Sequence, residues 1–177
     1  VAILRIRTFG DPVLRQEAKT VDKVTEDHKR LIADMIETMR NAPGVGLAAP
    51  QVGVLERIFV WEVEEVAGAV INPVIVERSG GDITEEEGCL SLPGLVYDVV
   101  RDHSVTVEGL DQDGRPVTLQ GEELLARVFQ HEIDHLDGVL FIDRVTEADR
   151  KEALAILRAQ ALGLPVPTTP VPQDERL

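Results

Sequence analysis

Apolar residues recur at helical spacing in three places along the chain. The first is Leu31, Ile32, Met35, Ile36 and Met39, which share one face at a period of 3.6 residues. Thr25 stands at the N-cap position, Glu26 and Asp27 fill the first turn, and Asn41 and Pro43 end the run. His28 is expected near its solvated start. The second stripe is Leu124, Leu125, Val128 and Leu136. Glu122 and Glu123 are expected in its first turn, where carboxylates suit the partial positive charge, and Gly138 as its left-handed C-cap. The third stripe, Leu154, Leu157 and Ala161, is thinner; Thr146 and Asp149 open it, and Gly163-Leu164-Pro165 stops it.

Between the first two helices the pattern alternates or runs apolar. Residues 57–63, 69–77, 96–100, 104–108 and 116–119 predict strands, with a further short strand at 139–142. Glu64-Glu65 and Asp113-Gly114 read as turns. Ser79-Gly80-Gly81-Asp82 reads as a loop that Glu85-Glu86-Glu87 continues with charge. After the turn signal Gly10-Asp11-Pro12, residues 12–21 read as an irregular arm. Residues 165–177 carry four prolines and no periodicity, which predicts a mobile tail. The domain is therefore expected to be residues 1–163, with 164–177 as a Pro-rich extension.

Composition narrows the class. A chain of 177 residues, 44% hydrophobic and 28% charged, is expected to build one domain around a real core. The net charge of −14 argues against a polyanionic partner, because phosphate binding needs clustered Lys and Arg. With no long apolar run and no signal pattern, a soluble cytoplasmic protein is expected, with no membrane and no direct nucleic-acid contact. Val1 in place of methionine fits a removed initiator and a trimmed chain equally.

The second helix carries Gln130-His131-Glu132-Ile133-Asp134-His135. On a helix, His131 and His135 project from one face and can chelate one divalent ion, with Glu132 close enough to reach a water on it. The five residues His131 to His135 alone leave a second reading open, in which the histidines are satisfied polar residues near a surface. Cys89, the single cysteine, cannot form an intrachain disulfide. A lone cysteine is most often a small buried hydrophobe. Here Gly88, Ser91, Pro93 and Gly94 place it on a tight stretch, which favours a ligand role, 42 positions before His131. Two imidazoles and one thiolate leave a fourth tetrahedral position open, the pattern of a catalytic site. Arg101 beside an apolar strand is free to pair with Glu87 or to lie on the surface. Gly44-Val45-Gly46-Leu47-Ala48-Ala49-Pro50-Gln51 reads as a Gly-rich connector or as a substrate-facing loop. It is no phosphate loop, since no Gly-Lys-Ser/Thr follows.

Together, Gly44 to Gln51, Glu87-Gly88-Cys89-Leu90-Ser91 and Gln130 to His135 resemble the three motifs of peptide deformylase. The resemblance extends over roughly residues 4–145 and includes Gly10 to Arg15 and Gly138 to Asp143. It implies an α+β fold, with mixed or antiparallel β-sheets wrapped around a central metal-binding HExxH helix and with an N-terminal and a C-terminal helix. The activity implied is removal of the N-formyl group from formylmethionyl nascent chains. The implied metal ligands are Cys89, His131 and His135, with water as the fourth. Glu132 would be general base and then general acid, and the Leu90 N–H and Gln51 amide would stabilise the oxyanion. Gly46 would bond the substrate backbone, and Ile133 would help line a pocket for the methionine side chain. The family's usual ion is Fe(II), with zinc, nickel or cobalt able to take its place. Arg150, Lys151 and Arg158 on the last helix are the local candidates for a transient ribosome contact. Two rivals remain. A zinc endopeptidase of the HExxH type usually takes a third His or Glu downstream; no His follows His135 and only Glu147, Glu152 and Glu175 remain, while the upstream Cys89 favours deformylase. A deformylase-like module that only binds metal or peptide ends would be marked by loss of Glu132 or Gln51, and both are present.

Overall fold

In the computed structural model, which describes residues 1–165, five strands form one antiparallel sheet in the order β1-β2-β3-β4-β5. They are β1 (Gly46–Ala48), β2 (Ile58–Val63), β3 (Val66–Cys89), β4 (Leu92–Leu110) and β5 (Pro116–Glu122). Three helices accompany them: α1 (Glu26–Asn41), α2 (Leu124–Leu136) and α3 (Glu147–Ala161). The expected α+β class holds, in antiparallel form apart from an isolated parallel bridge between Lys19 and Glu56. None of the described helices is long and apolar enough to cross a membrane.

The turns between strands follow local chemistry. Glu64 and Glu65 both take positive φ, 52° and 66°, giving a turn whose twist matches the flanking strands. Residues 79–82 are not the expected loop, and residues 96–100 and 104–108 belong to one strand. Gly80 and Gly81 take φ of 77° and 73°, and the register slips between Ser79/Ser104 and Asp82/Asp102. One extra residue is thus absorbed as a bulge, which bends the β3–β4 ribbon without ending it. A Gly pair inside a strand pattern signals a bulge as readily as a loop. The ribbon closes at Cys89 opposite Leu92, with Leu90 and Ser91 in the turn.

Helix α2 runs through the middle of the molecule. Every residue from Ala126 to Leu136 is buried except Ile133, which is half-buried. Phe129 meets Phe59 and Trp61 of β2 at ring-centroid distances of 5.8 and 5.7 Å, holding the helix against the sheet. On its other flank Cys89, Leu92, Leu95 and Phe141 form a second cluster, closed by Ala153 and Leu157 of α3. Ile32, Met35 and Met39 of α1 pack on Leu47, Ile58 and Ile71.

Several local expectations are corrected by tertiary contacts. Glu122 and Glu123 do not fill the first turn of α2. Glu122 pairs with Ser104 in the sheet, and Glu123, whose N–H donates to the His103 carbonyl at 2.9 Å and whose carbonyl accepts from the Arg127 N–H at 3.0 Å, is the N-cap, so the helix starts at Leu124. Leu124 is accordingly exposed. Residues 139–142 form no strand; a 3-10 turn covers Phe141–Asp143. Phe141 and Ile142 gain burial from Leu14, Leu92 and Ala153 without a strand neighbour, and a short apolar run does not distinguish the two cases. His28 is not solvated: its Nδ1 accepts from the Thr25 N–H at 3.0 Å, completing the N-cap, while Nε2 meets Glu56 at 2.8 Å. The tail predicted from residue 164 lies almost wholly outside the described residues.

Gly138 ends α2 as expected, with φ of 73°. A Cβ there would meet the Arg15 carbonyl oxygen at 2.8 Å. Left-handed backbone costs a non-glycine residue roughly 1–2 kcal/mol even without a clash. Gly138→Ala is therefore expected to lower the thermal midpoint by about 2–8 °C, read by calorimetry.

Candidate metal centre

The two histidines of α2 and the cysteine at the end of β3 converge. His131 and His135 sit one turn apart, and their Nε2 atoms approach to 3.2 Å. Cys89 Sγ lies 3.3 Å from His135 Nε2. All three ligating atoms fall within 4.8 Å of one another, and all three residues are buried. Around a tetrahedral ion with ordinary metal–nitrogen and metal–sulfur bonds, such atoms stand about 3.3–3.6 Å apart. The donor set therefore fits a divalent ion of the kind that imidazole and thiolate share. Burial, together with the neighbouring His131, pushes His135 well below the usual imidazole range and keeps its ring neutral. Burial pushes the Cys89 thiol up, against backbone N–H groups of Ser91 and Leu92 that point at its sulfur. A bound cation reverses that balance and favours the thiolate.

Behind His131 lies a buried ionic cluster. Glu87 Oε1 sits 2.5 Å from His131 Nδ1, so Nδ1 carries the proton and Nε2 keeps its lone pair for the ligand cluster. Arg101 of β4 donates to both Glu87 oxygens, from Nη2 at 2.6 Å and from Nε at 3.1 Å. Arg127 of α2 adds Nη1 at 2.8 Å and also donates to the Val99 and Ile83 carbonyls. Burial alone would raise the Glu87 carboxyl. Hydrogen bonds from His131 and Arg101 outweigh it and hold the group well below the usual carboxylate range. Asp134 of α2 accepts Arg101 Nη1 at 2.7 Å.

Glu132 is the opposite case. It is fully buried, and among the described residues neither carboxylate oxygen has a hydrogen-bond partner. Burial pushes its carboxyl well above the usual range, and the negative Glu87 pushes the same way. Gly46 of β1 leaves room for it: a Cβ at that position would stand 2.7 Å from Glu132 Oε1. An unpaired buried carboxyl is costly, and such strain belongs where a proton has to move. Gln51, in the 3-10 turn after β1, is held by its own amide. Its Oε1 accepts from the Ala48 N–H at 2.9 Å, which turns Nε2 toward Ser91 Oγ at 3.1 Å and Cys89 Sγ at 3.7 Å. An amide donor is thus presented beside the ligand cluster. Leu90 adjoins Cys89 in the tight turn.

The residues singled out in the sequence are therefore brought together, with one exception. Ile133 lies on the far side of α2, because two positions from His131 is roughly 200° around a helix. It lines a cavity there with Ile75, Gln130 and Asp134 instead of facing the ligand atoms. The sequence left Arg101 open between Glu87 and the surface, and the structure puts it on Glu87; the contact of Glu87 with His131 and the parts of Arg127, Asp134 and Ser91 were not read from the sequence. One signal was available. Glu87 and Cys89 are two apart on a strand, so they face the same side.

A family model for polypeptide deformylase matches residues 3–151. The peptide deformylase of Acidothermus cellulolyticus is 50% identical over 161 residues, covering 89% of this chain and 87% of that protein. That of Halothermothrix orenii is 54% identical over 145 residues, covering 81% and 94%. Among solved structures, the Thermus thermophilus peptide deformylase superposes with a TM-score of 0.85 at 47% identity, covering 91% of this chain and 96% of that one. The Ehrlichia chaffeensis enzyme in complex with actinonin gives 0.86 at 36% identity, covering 90% and 98%.

Proposed function

The chain belongs to the polypeptide deformylase family, and we propose that Cys89, His131 and His135 hold the divalent ion of its reaction while Glu132 moves the proton. The reaction is hydrolytic removal of the N-formyl group from the N-terminal formylmethionine of nascent polypeptides, releasing formate. The observation that carries the residue assignment is the convergence of one sulfur and two imidazole nitrogens beside a buried, unpaired carboxyl.

When bound, the ion supplies Lewis acidity that makes water a nucleophile near neutral pH. Glu132 takes the proton of the attacking water and returns it to the departing amine. The Gln51 Nε2–H and the Leu90 N–H stabilise the oxygen that becomes negative as the formyl carbon turns tetrahedral. Ser91 and Ala48 hold the Gln51 amide in that orientation. Glu87 holds His131 in the tautomer that leaves Nε2 free. The edge of β1 at Gly46 receives the peptide as an added strand, with the formyl end toward Gln51. Ile133 has no part in this reading.

Ferrous iron is the native ion in this reading, with zinc, nickel and cobalt able to replace it. The place of action is the cytoplasm, with no nucleic acid bound directly. Arg150, Lys151 and Arg158 lie on the exposed side of α3, where they are available for a transient ribosome contact. The deciding measurement is anaerobic formate release from formyl-Met-Ala-Ser by Fe(II)-loaded protein. Fast release that decays on exposure to air supports the reading, and no release from fully metallated protein sinks it. Gln51→Ala is expected to retain its metal and to lose about 10²–10³ in kcat, the usual effect of one oxyanion donor.

A further inference from the structure

Asp134 stands inside the metal-helix motif but turns its carboxylate away from the ligand cluster, onto two arginines. Its Oδ2 accepts Arg101 Nη1 at 2.7 Å and Arg144 Nε at 3.2 Å, and its Oδ1 accepts Arg144 Nη2 at 2.9 Å. Arg144 follows the 3-10 turn at Phe141–Asp143 and is half-exposed. These groups form one wall of a cavity of about 390 Å³ on the side of α2 away from the metal ligands, which Asp82 and Asp102 also line.

We propose that Asp134 is a positioning residue for the metal centre, acting on His131 through Arg101 and Glu87. A guanidinium is planar, and its donors keep a fixed fork. With Nη1 tied to Asp134, the Nε–Nη2 edge of Arg101 is turned onto Glu87, where each nitrogen finds one oxygen. Glu87 Oε1 is the atom that Arg101 Nη2 shares with His131 Nδ1. The contacts form a closed ring, from α2 at Asp134 through β4 and β3 and back to α2 at His131. The ring fixes where Oε1 stands and hence the plane of the imidazole. Arg144 closes it on the solvent side.

Without the Asp134 charge, Arg101 Nη1 faces a cavity that offers Asp102 and Asp82 as other carboxylates. The guanidinium then turns toward them, Glu87 follows its partner, and the His131 ring loses its fixed plane. Partners of metal-bound histidines typically change metal affinity by about 10–100-fold when removed. Asp134 acts one contact further out, so its effect belongs at the lower end of that range.

The inference rests on the reading of His131 as a metal ligand, and the test separates the two. Apo-protein is titrated anaerobically with Co(II) against a competing chelator, and the visible absorption bands of the Co(II) form are recorded. Wild type, Asp134→Asn, Arg144→Gln and Ile32→Ala are compared, the last being a core change in α1, in a cluster that holds neither a metal ligand nor a member of the ring. Asp134→Asn is expected to bind Co(II) about tenfold more weakly and to shift the visible bands. Ile32→Ala is expected to melt earlier with wild-type affinity and spectrum. If Asp134→Asn melts earlier but binds Co(II) as wild type does, with unchanged bands, Asp134 is only structural and the proposal is overturned. Should Asp134→Asn not fold, Arg144→Gln is read in its place: severalfold weaker binding with shifted bands supports the ring, and wild-type values overturn it. Wild type that takes up no Co(II) overturns the metal centre itself.

Discussion

Glu132→Gln will keep its metal, lose formate release by roughly 10²–10⁴-fold and, with the metal removed, melt at a higher temperature than the wild-type apo-protein. The first part follows from what the substitution leaves alone. Cys89, His131 and His135 remain, and glutamine has the size of glutamate, so the space opposite Gly46 stays filled. What disappears is the carboxylate that accepts and returns a proton, and an amide does neither. The rise in stability follows from the cost of the native residue. Glu132 is fully buried with both oxygens unpartnered among the described residues, and burial and Glu87 both disfavour its charged form. A neutral side chain removes that penalty, the familiar opposition between stability and function at a reacting group. Metal content and formate release of the Fe(II)-loaded proteins, and a calorimetric scan of the apo-proteins, check all three parts. Loss of activity accompanied by loss of metal would instead place Glu132 in holding the ion.

Glu87→Ala will do the reverse, damaging the fold first and the centre with it. Glu87 is the common acceptor for Arg101, Arg127 and His131, the one carboxylate that meets all three. Truncating it leaves two buried guanidiniums facing an emptied space. Breaking a buried ion pair from one side costs about 3–5 kcal/mol, because the remaining charge stays desolvated. For a chain of this length that is a fall of about 6–20 °C in the thermal midpoint. The His131 ring also loses the partner that fixes its tautomer, so metal affinity is expected to fall about 10–100-fold. Glu87→Gln keeps the shape and one acceptor, and should show a smaller loss on both readouts. Chelator competition and thermal unfolding of the apo-proteins measure the two effects separately. Equal stability of wild type and Glu87→Ala would mean that Arg101 and Arg127 find other carboxylates or water.

Much of the architecture was legible in the chain. Thr25, the stripe from Leu31 to Met39 and the stop at Asn41 define α1 within a residue. Thr146 caps α3 with its hydroxyl on the Asp149 N–H at 3.2 Å, and Gly138 closes α2. Each of these depends on groups within one helical turn, so the sequence contains the whole interaction. The four-residue spacing of His131 and His135 is legible for the same reason. Once the segment is helical, both rings must point the same way.

What only the tertiary structure decided involves groups far apart in the chain. Two glycines at 80 and 81 made a bulge and not a loop because β4 was there to keep the ladder going. Glu122 joined the sheet and Glu123 became the cap, not the first turn, of the helix because Ser104 and His103 were within reach. Phe141 and Ile142 made a turn because α3 and β4 already covered them. Glu87 reads in the sequence as the end of an acidic run on a solvated loop, yet it is 1% exposed with three buried partners drawn from β4 and α2. Whether a carboxylate ends in water or in the core is settled by the charges that meet it there, and those are supplied by packing. The chain alone therefore determined which residues were chemically able to hold an ion and move a proton. The fold determined which carboxyl was neutralised by arginines to orient a ligand and which was left unpaired to react, because desolvation and ion pairing act through space and not along the sequence.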